Sequence, residues 1–291
     1  MRLKLTLAIL LSCMTAVAQN YTPKSSGEIV KHSCYTLAYS EQHEQAIWVL
    51  YHLTREMVTG AAGRTDDFRP DPKVSTQSAS LEDYRGSGYD RGHLCPAADM
   101  KQSSTAMSET FYLSNMSPQV PGFNRGIWKN LEETVRKWSL EEDGIWVVTG
   151  AIFKDNKGAI GKNKVTIPGY YYKVVYDYTG KEKMIALILP NSEGKKQLSD
   201  YVVSVDLVEE LTGVDFFPQL DDALEEKLES QSDPGEWSFD RMVTQVKVQQ
   251  KLSTPIQCKG TTKSGNRCKN KTYNTNGCCH SHQSQAGQSS L

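Results

Sequence analysis

Ile127, Leu131, Val135 and Trp138 fall three or four residues apart, the period of an α-helix with one apolar face. Such a face must be buried against a partner, and the partner can be read on both sides of it. Residues 35–39 and 46–53 are rich in β-branched and aromatic side chains, as are 144–149, 170–178 and 183–189, and runs of this kind read as strands. Further helices are expected at 104–111 and at 204–212, where Leu207, Val208 and Leu211 share a side. A loop carrying Pro118, Pro121 and Gly122 should precede the central helix, which should run from about residue 124 to residue 138. Residues 59–80, with Gly, Pro, Asp and Ser throughout, read as a long loop of the kind that tends to be functional. The mixture predicts an α+β fold, a sheet with helices on its faces.

The two ends differ from this body. Met1-Arg2-Leu3-Lys4, a short apolar run and Ala16-Val17-Ala18 have the three parts of a secretory signal peptide in order. Cleavage is expected after Ala18, giving a secreted or periplasmic protein; a lipoprotein processed at Cys13 is the alternative. The overall charge is −1, of which residues 1–18 carry +2 and residues 258–291 carry +5, leaving −8 for residues 19–257. An acidic body does not exclude a nucleic-acid partner, because a local cleft can still be basic. It argues against tight non-specific binding without a metal ion. Of seven cysteines, four (Cys258, Cys268, Cys278 and Cys279) crowd into the tail, which favours a metal site over a disulfide scaffold. The expected division is a signal at 1–18, a folded domain at 28–228, a linker with a short helix at 229–257 and a Cys/His tail at 258–284.

The chemistry concentrates around Asp90-Arg91-Gly92-His93. His93 is a natural general base, and Gly92 lets the chain bend sharply beside it. Asn124 and Glu132 offer oxygen ligands for a hard cation such as Mg²⁺. Arg64, Arg91 and Arg136 suit phosphate oxygens. These are the parts that hydrolysis of a phosphodiester requires. With Asn124 as origin and ~100° per helical residue, Glu132 falls near ~80° and Arg136 near ~120°, on one flank of the apolar stripe. Taken singly, each has a plainer reading. His93 could be a core histidine bonded to a backbone carbonyl, Glu132 and Arg136 a surface i,i+4 pair, and Asn115 and Asn124 turn residues.

Tyr89-Asp90-Arg91-Gly92-His93-Leu94, the run from Met107 to Asn115, Ser117-Pro118-Gln119, Asn124, Trp128, Leu131-Glu132 and Arg136 together resemble the DNA/RNA non-specific endonuclease family. That family includes secreted bacterial nucleases and mitochondrial endonuclease G. The similarity continues through Val148-Thr149-Gly150, Lys173-Val174, Leu189-Pro190-Asn191 and Leu211-Thr212-Gly213, covering roughly residues 33–220. It implies a ββα-metal fold with a central, mostly antiparallel sheet, and metal-dependent cleavage of DNA and RNA with little sequence specificity. By the same resemblance His93 is the base, Asn124 the direct protein ligand of Mg²⁺ (Mn²⁺ as a substitute) and Glu132 the group that orients water. Arg64 and Arg136 contact phosphate, Arg91 sits beside the base and Asn115 supports the site. Arg69 competes with Arg64 for its role. Cys95 stands where a small residue such as Ala is expected; a disulfide to Cys34 and two buried thiols both fit, the thiols being preferred.

In the tail, Cys258, Cys268, Cys279 and His282 offer four ligands for a closed zinc site, with Cys278 and His280 as alternates. Five basic residues there add a handle for nucleic acid.

Overall fold

The computed structural model describes residues 21–239, 251–262, 265–274 and 277–285. The expected signal peptide lies outside the described residues. The chain divides into two compact units, Met1–Arg241 and Met242–Leu291. No helix among the described residues is long and apolar enough to cross a membrane.

The first unit contains eleven strands in the described residues: β1 Glu28–Lys31, β2 Thr36–Ser40, β3 Gln45–Leu53, β4 Asp90–His93, β5 Met116–Gln119, β6 Ile145–Ile152, β7 Ala159–Ile160, β8 Val165–Thr166, β9 Tyr170–Asp177, β10 Lys183–Pro190 and β11 Val202–Val203. Seven of them form one sheet in the order β1-β2-β3-β6-β9-β10-β11, antiparallel at every pairing. Successive side chains of a strand point to opposite faces, and both faces are covered here. On one, Leu37, Val49, Tyr51, Val147, Val175 and Leu187 pack with Ile127, Leu131, Val135 and Trp138. On the other, Ala38, Trp48, Leu50, Val148, Val174 and Ala186 pack with Val205, Val208 and Leu228. The α+β expectation therefore takes the form of a sheet between two helical layers.

The central helix differs from its expected form at both ends. The α-helix is Lys129–Glu141. Before it, Asn124–Trp128 forms a π-helical turn in which Gly126 leaves helical geometry (φ −104°, ψ −110°). Angles counted from Asn124 at a uniform ~100° per residue do not apply across that turn. The helix Val205–Thr212 begins at Ser204, whose hydroxyl accepts from the Leu207 amide, and ends at Gly213 in the left-handed region (φ +68°). Val208 is buried as expected, whereas Leu207 is exposed and Val205 takes the inward position. A helix at Asp222–Glu229 was not anticipated.

Pro118, expected in a loop, lies in β5, which pairs antiparallel with β4. A two-stranded ribbon tolerates proline because its missing N–H can face away from the partner. The Pro118 carbonyl is used, accepting from the Tyr171 hydroxyl (2.9 Å) and the Asn191 amide (3.0 Å). The ribbon followed by the helix is a ββα arrangement.

The segment read as a linker, 229–257, is structured at both described ends. Trp237 enters the core, its ring 4.7 Å from that of Trp138, and the Trp138 indole donates to the Ser238 carbonyl (2.7 Å). Isolated aromatics in a polar stretch carry no periodicity, so this anchoring left no helical or strand pattern to read. In the second unit, β12 Lys251–Gln257 pairs antiparallel with β13 Lys271–Asn274.

Candidate active site

The β4–β5 ribbon sets His93. Gly92 is opposite Ser117 in extended pairing, not in a sharp bend. Its missing side chain matters for a different reason: a Cβ there would lie 2.1 Å from Cδ and Oε1 of the buried Gln119 side chain. The His93 ring meets Phe111 edge-on (5.1 Å, 89°) and Phe68 (5.8 Å). Nε2 of His93 is buried with no hydrogen-bond partner, so no backbone carbonyl satisfies it as in an ordinary core histidine. Burial, then the charges of Arg64 and Arg91, push the imidazole pKa down to about 3, which keeps the ring neutral and proton-accepting. Each of those arginines lies over one of the two phenyl rings, Arg64 over Phe111 (4.8 Å) and Arg91 over Phe68 (4.1 Å).

Asn115 is fully buried and acts through the chain that follows His93. Its Oδ1 accepts from the Cys95 amide (2.8 Å), and its Nδ2 donates to the carbonyls of Cys95 (2.9 Å) and Thr110 (2.8 Å). The Leu94 amide donates to the Asn115 carbonyl. Cys95 and Cys34 are unpaired thiols, and burial raises the Cys95 thiol.

Asn124 is held by Asp90. The Asn124 Nδ2 donates to Asp90 Oδ2 (2.9 Å), so Oδ1 is the amide atom left for another partner. Arg125 grips the same carboxylate with Nε (2.8 Å) and a terminal nitrogen (2.6 Å). The π-turn thus ties its first two residues to the start of β4. Asp90 was part of the recognised motif, but nothing in the sequence joined it to residues 34 and 35 positions later.

Glu132 and Arg136 do not form the surface pair that their spacing allows. Arg136 instead pairs with buried Asp99 (2.7 Å), whose other oxygen accepts from the Tyr51 hydroxyl (3.0 Å). Lys173, fully buried on β9, donates to Thr149 Oγ1 (2.7 Å). Burial raises the Glu132 carboxyl to about 7 against the opposing pull of Lys173 and Arg136. Burial lowers Lys173, with Glu132 and Asp99 acting the other way. Asp99 was not singled out from the sequence, and Lys173 entered only as part of the resemblance, with no role; each is one polar residue whose partners come from distant elements.

Arg64, Arg91, His93, Asn124, Glu132 and Arg136 line one cleft of about 400 Å³, together with Arg125, Lys129 and residues 96–98. Asn115 stands behind it. Arg69 is outside: it is spent on Asp67 (2.7 Å), on Ser108 and on the Tyr112 ring (4.0 Å). A second cavity, about 490 Å³, shares Arg64, Arg91 and Asn124 with the first and extends over Phe68, Tyr84, Arg85 and Tyr89. One amide oxygen and one half-buried carboxylate on the same cleft are a donor set that fits a hard divalent cation. In the second unit, the four expected tail ligands come together, their ligand atoms all within 4.8 Å of one another.

Known proteins are similar to this chain. A family model described as DNA/RNA non-specific endonuclease matches residues 14–223. The chain is 36% identical over 224 residues to nuclease C1 of Cunninghamella echinulata var. echinulata, covering 71% of this chain and 89% of that protein. It is 37% identical over 217 residues to the mitochondrial nuclease EXOG of Xenopus laevis, covering 68% of this chain but 61% of that longer protein. Human mitochondrial endonuclease G is 34% identical over 209 residues, covering 66% of this chain and 70% of that protein. A crystal structure of an EndoG/EndoGI complex superposes with a TM-score of 0.62 at 33% identity, covering 68% of this chain and 88% of that one. The sheet, the ββα ribbon and the site helix are thus a ββα-metal fold, and the chain belongs to the DNA/RNA non-specific endonuclease family.

Proposed function

We propose that this chain is a Mg²⁺-dependent endonuclease, with Mn²⁺ as a substitute, that hydrolyses phosphodiester bonds of DNA and RNA with little sequence preference. The observation that carries the reading is the shared cleft of His93, Asn124, Glu132, Arg136, Arg64 and Arg91. Five basic side chains and a single carboxylate line it, so the body can be acidic overall and still attract a polyanion locally.

Asn124, through Oδ1, would hold the ion, and Glu132 would orient the waters around it. When bound, it supplies positive charge at the scissile phosphate and the leaving oxygen. His93 takes the proton of the attacking water. Its ring is neutral because Arg64 and Arg91 add to the effect of burial; a phosphate seated on those arginines offsets their field and makes the imidazole a stronger base when substrate is present. Arg64 and Arg91 bind phosphate oxygens while their planes stay on Phe111 and Phe68. Arg136 turns toward phosphate from a position fixed by Asp99, and Glu132 accepts hydrogen bonds from water in the cleft. Asn115 holds the backbone that follows the base.

Export rests on the three-part pattern of residues 1–18; the secreted or periplasmic product would begin after Ala18. Incubating purified protein with plasmid and with structured RNA tests the activity. Both should be degraded in Mg²⁺ or Mn²⁺, and EDTA should stop it. Absence of cleavage with every divalent ion would overturn the proposal.

A further inference from the structure

We propose that the C-terminal unit is organised around a closed structural zinc site made by Cys258, Cys268, Cys279 and His282. Among the described residues of this unit, the buried hydrophobic cluster consists of Cys258, Cys268 and Cys279 alone. With three thiols at their centre, the described residues of this unit show no apolar core to fold around, so a metal is the source of order that the chemistry offers.

The spacing fits the metal. Four ligands at ~2.3 Å (S) and ~2.0 Å (N) from a tetrahedral centre stand about 3.8 Å apart sulfur to sulfur and about 3.5 Å apart sulfur to nitrogen. Cys268 Sγ and Cys279 Sγ are 3.9 Å apart. His282 Nδ1 is 3.7 Å from Cys258 Sγ and 3.3 Å from Cys279 Sγ. A disulfide would need sulfurs at ~2.05 Å. Three thiolates and one imidazole are the soft and borderline donors that select zinc over Mg²⁺ or Ca²⁺. With all four positions taken by protein, the site is structural.

The surroundings support thiolates. The amides of Gly260 (3.3 Å) and Cys279 (3.2 Å) both donate to Cys258 Sγ, and the Asn270 side chain donates to Cys279 Sγ (3.8 Å). Hydrogen bonds of this kind favour the charged form and orient the ligand. Gly260 leaves room for the histidine, since a Cβ there would lie 2.5 Å from Cβ of His282. Gln285 closes the loop, its Oε1 accepting from the Thr261 amide (2.7 Å) and its Nε2 donating to the Thr261 carbonyl (3.0 Å). Zn²⁺ with three thiolates leaves a net −1, and residues 258–291 carry five basic side chains and no carboxylate. Cys278 is buried but is not one of the four.

The test measures metal content of the full chain, purified under reducing conditions in Mg²⁺ buffer. One equivalent of zinc per chain is expected by elemental analysis. Cys258→Ser and Cys279→Ser should lose it, whereas Cys278→Ser should keep it. If the variants fail to fold, cobalt replacing zinc in the wild-type protein provides a second reading: tetrahedral cobalt thiolate should show intense visible absorption. Substoichiometric zinc with no cobalt thiolate spectrum would overturn the proposal. So would zinc retained by both Cys258→Ser and Cys279→Ser, or a Cys268–Cys279 disulfide in the peptide map. These readouts do not depend on cleavage, so a failure of the nuclease reading would leave them standing.

Discussion

Replacing Asp90 with Asn isolates what holds the proposed metal ligand. The Asp90 carboxylate accepts one bond from the Asn124 amide and two from Arg125. The Arg125 side chain is 73% exposed in that pair, and an ion pair so placed is screened by solvent and adds little. The bond to Asn124 goes to a charged acceptor in a half-buried setting, where about 1.5–3 kcal/mol is usual. In Asp90→Asn the charge is gone and one of the two oxygens becomes a donor facing donors. The Asn124 amide is then no longer fixed with its oxygen available. Loss of an outer partner of a metal ligand typically weakens binding roughly 10- to 100-fold, or about 1.4–2.7 kcal/mol, which overlaps the figure from the hydrogen bond. Initial cleavage rates should be measured across a Mg²⁺ titration at saturating plasmid. The midpoint should rise by that factor, while the plateau stays within a few-fold of wild type. An unchanged midpoint would refute the reasoning. A plateau that Mg²⁺ cannot restore would also refute it, since Asp90 would then act on something other than Asn124.

Three further outcomes follow from the same geometry. Asp99→Ala leaves the buried Arg136 charge without its partner and should cost about 3–5 kcal/mol in urea unfolding; a loss below about 1 kcal/mol would contradict the buried pair. Gly92→Ala drives a methyl into Gln119 and should cost about 1–3 kcal/mol, most of it recovered in Gly92→Ala/Gln119→Ala; a double variant no more stable than the single would show that the overlap is not the cause. His93 has a folded pKa of about 3 against 6.5 for the ordinary group, so in acid the unfolded chain binds a proton that the folded one refuses. Its contribution is present above the unfolded pKa and is lost as pH falls below it. The stability of His93→Asn relative to wild type, measured in EDTA, should therefore increase from about pH 7.5 to about pH 5; a flat difference would place the His93 pKa near its ordinary value.

What the sequence revealed and what it hid divide by range. The helical stripe from Ile127 to Trp138 and the β-rich runs are local patterns, and the two helical layers on one sheet followed from them. His93, Asn124, Glu132, Arg136, Arg64 and Arg91 could be nominated because residue type and motif spacing are local too. The residues that hold them were not legible. Asp90 supports Asn124, Asp99 supports Arg136, and Lys173 sits among them from β9. Each such pairing is made by tertiary folding between residues tens of positions apart, and a lone Asp or Lys in a sequence carries no sign of it. The π-turn at Gly126 was missed because a glycine inside an apparent helix reads only as a weak point. Pro118 was misread because proline argues against a strand unless the ribbon has a free edge. Trp237 and Phe239, which dock on Trp138, lie in a segment whose polarity suggested a linker.

The central claim is that His93 is the base of a phosphodiester-cleaving cleft. The direct measurement compares wild type and His93→Ala for plasmid cleavage in Mg²⁺, with DNA binding followed in parallel by fluorescence anisotropy in Ca²⁺. Loss of a general base predicts a rate lower by about 10²- to 10⁴-fold, with binding within a few-fold of wild type because Arg64, Arg91 and Arg136 remain. Cleavage by His93→Ala at the wild-type rate would contradict the account.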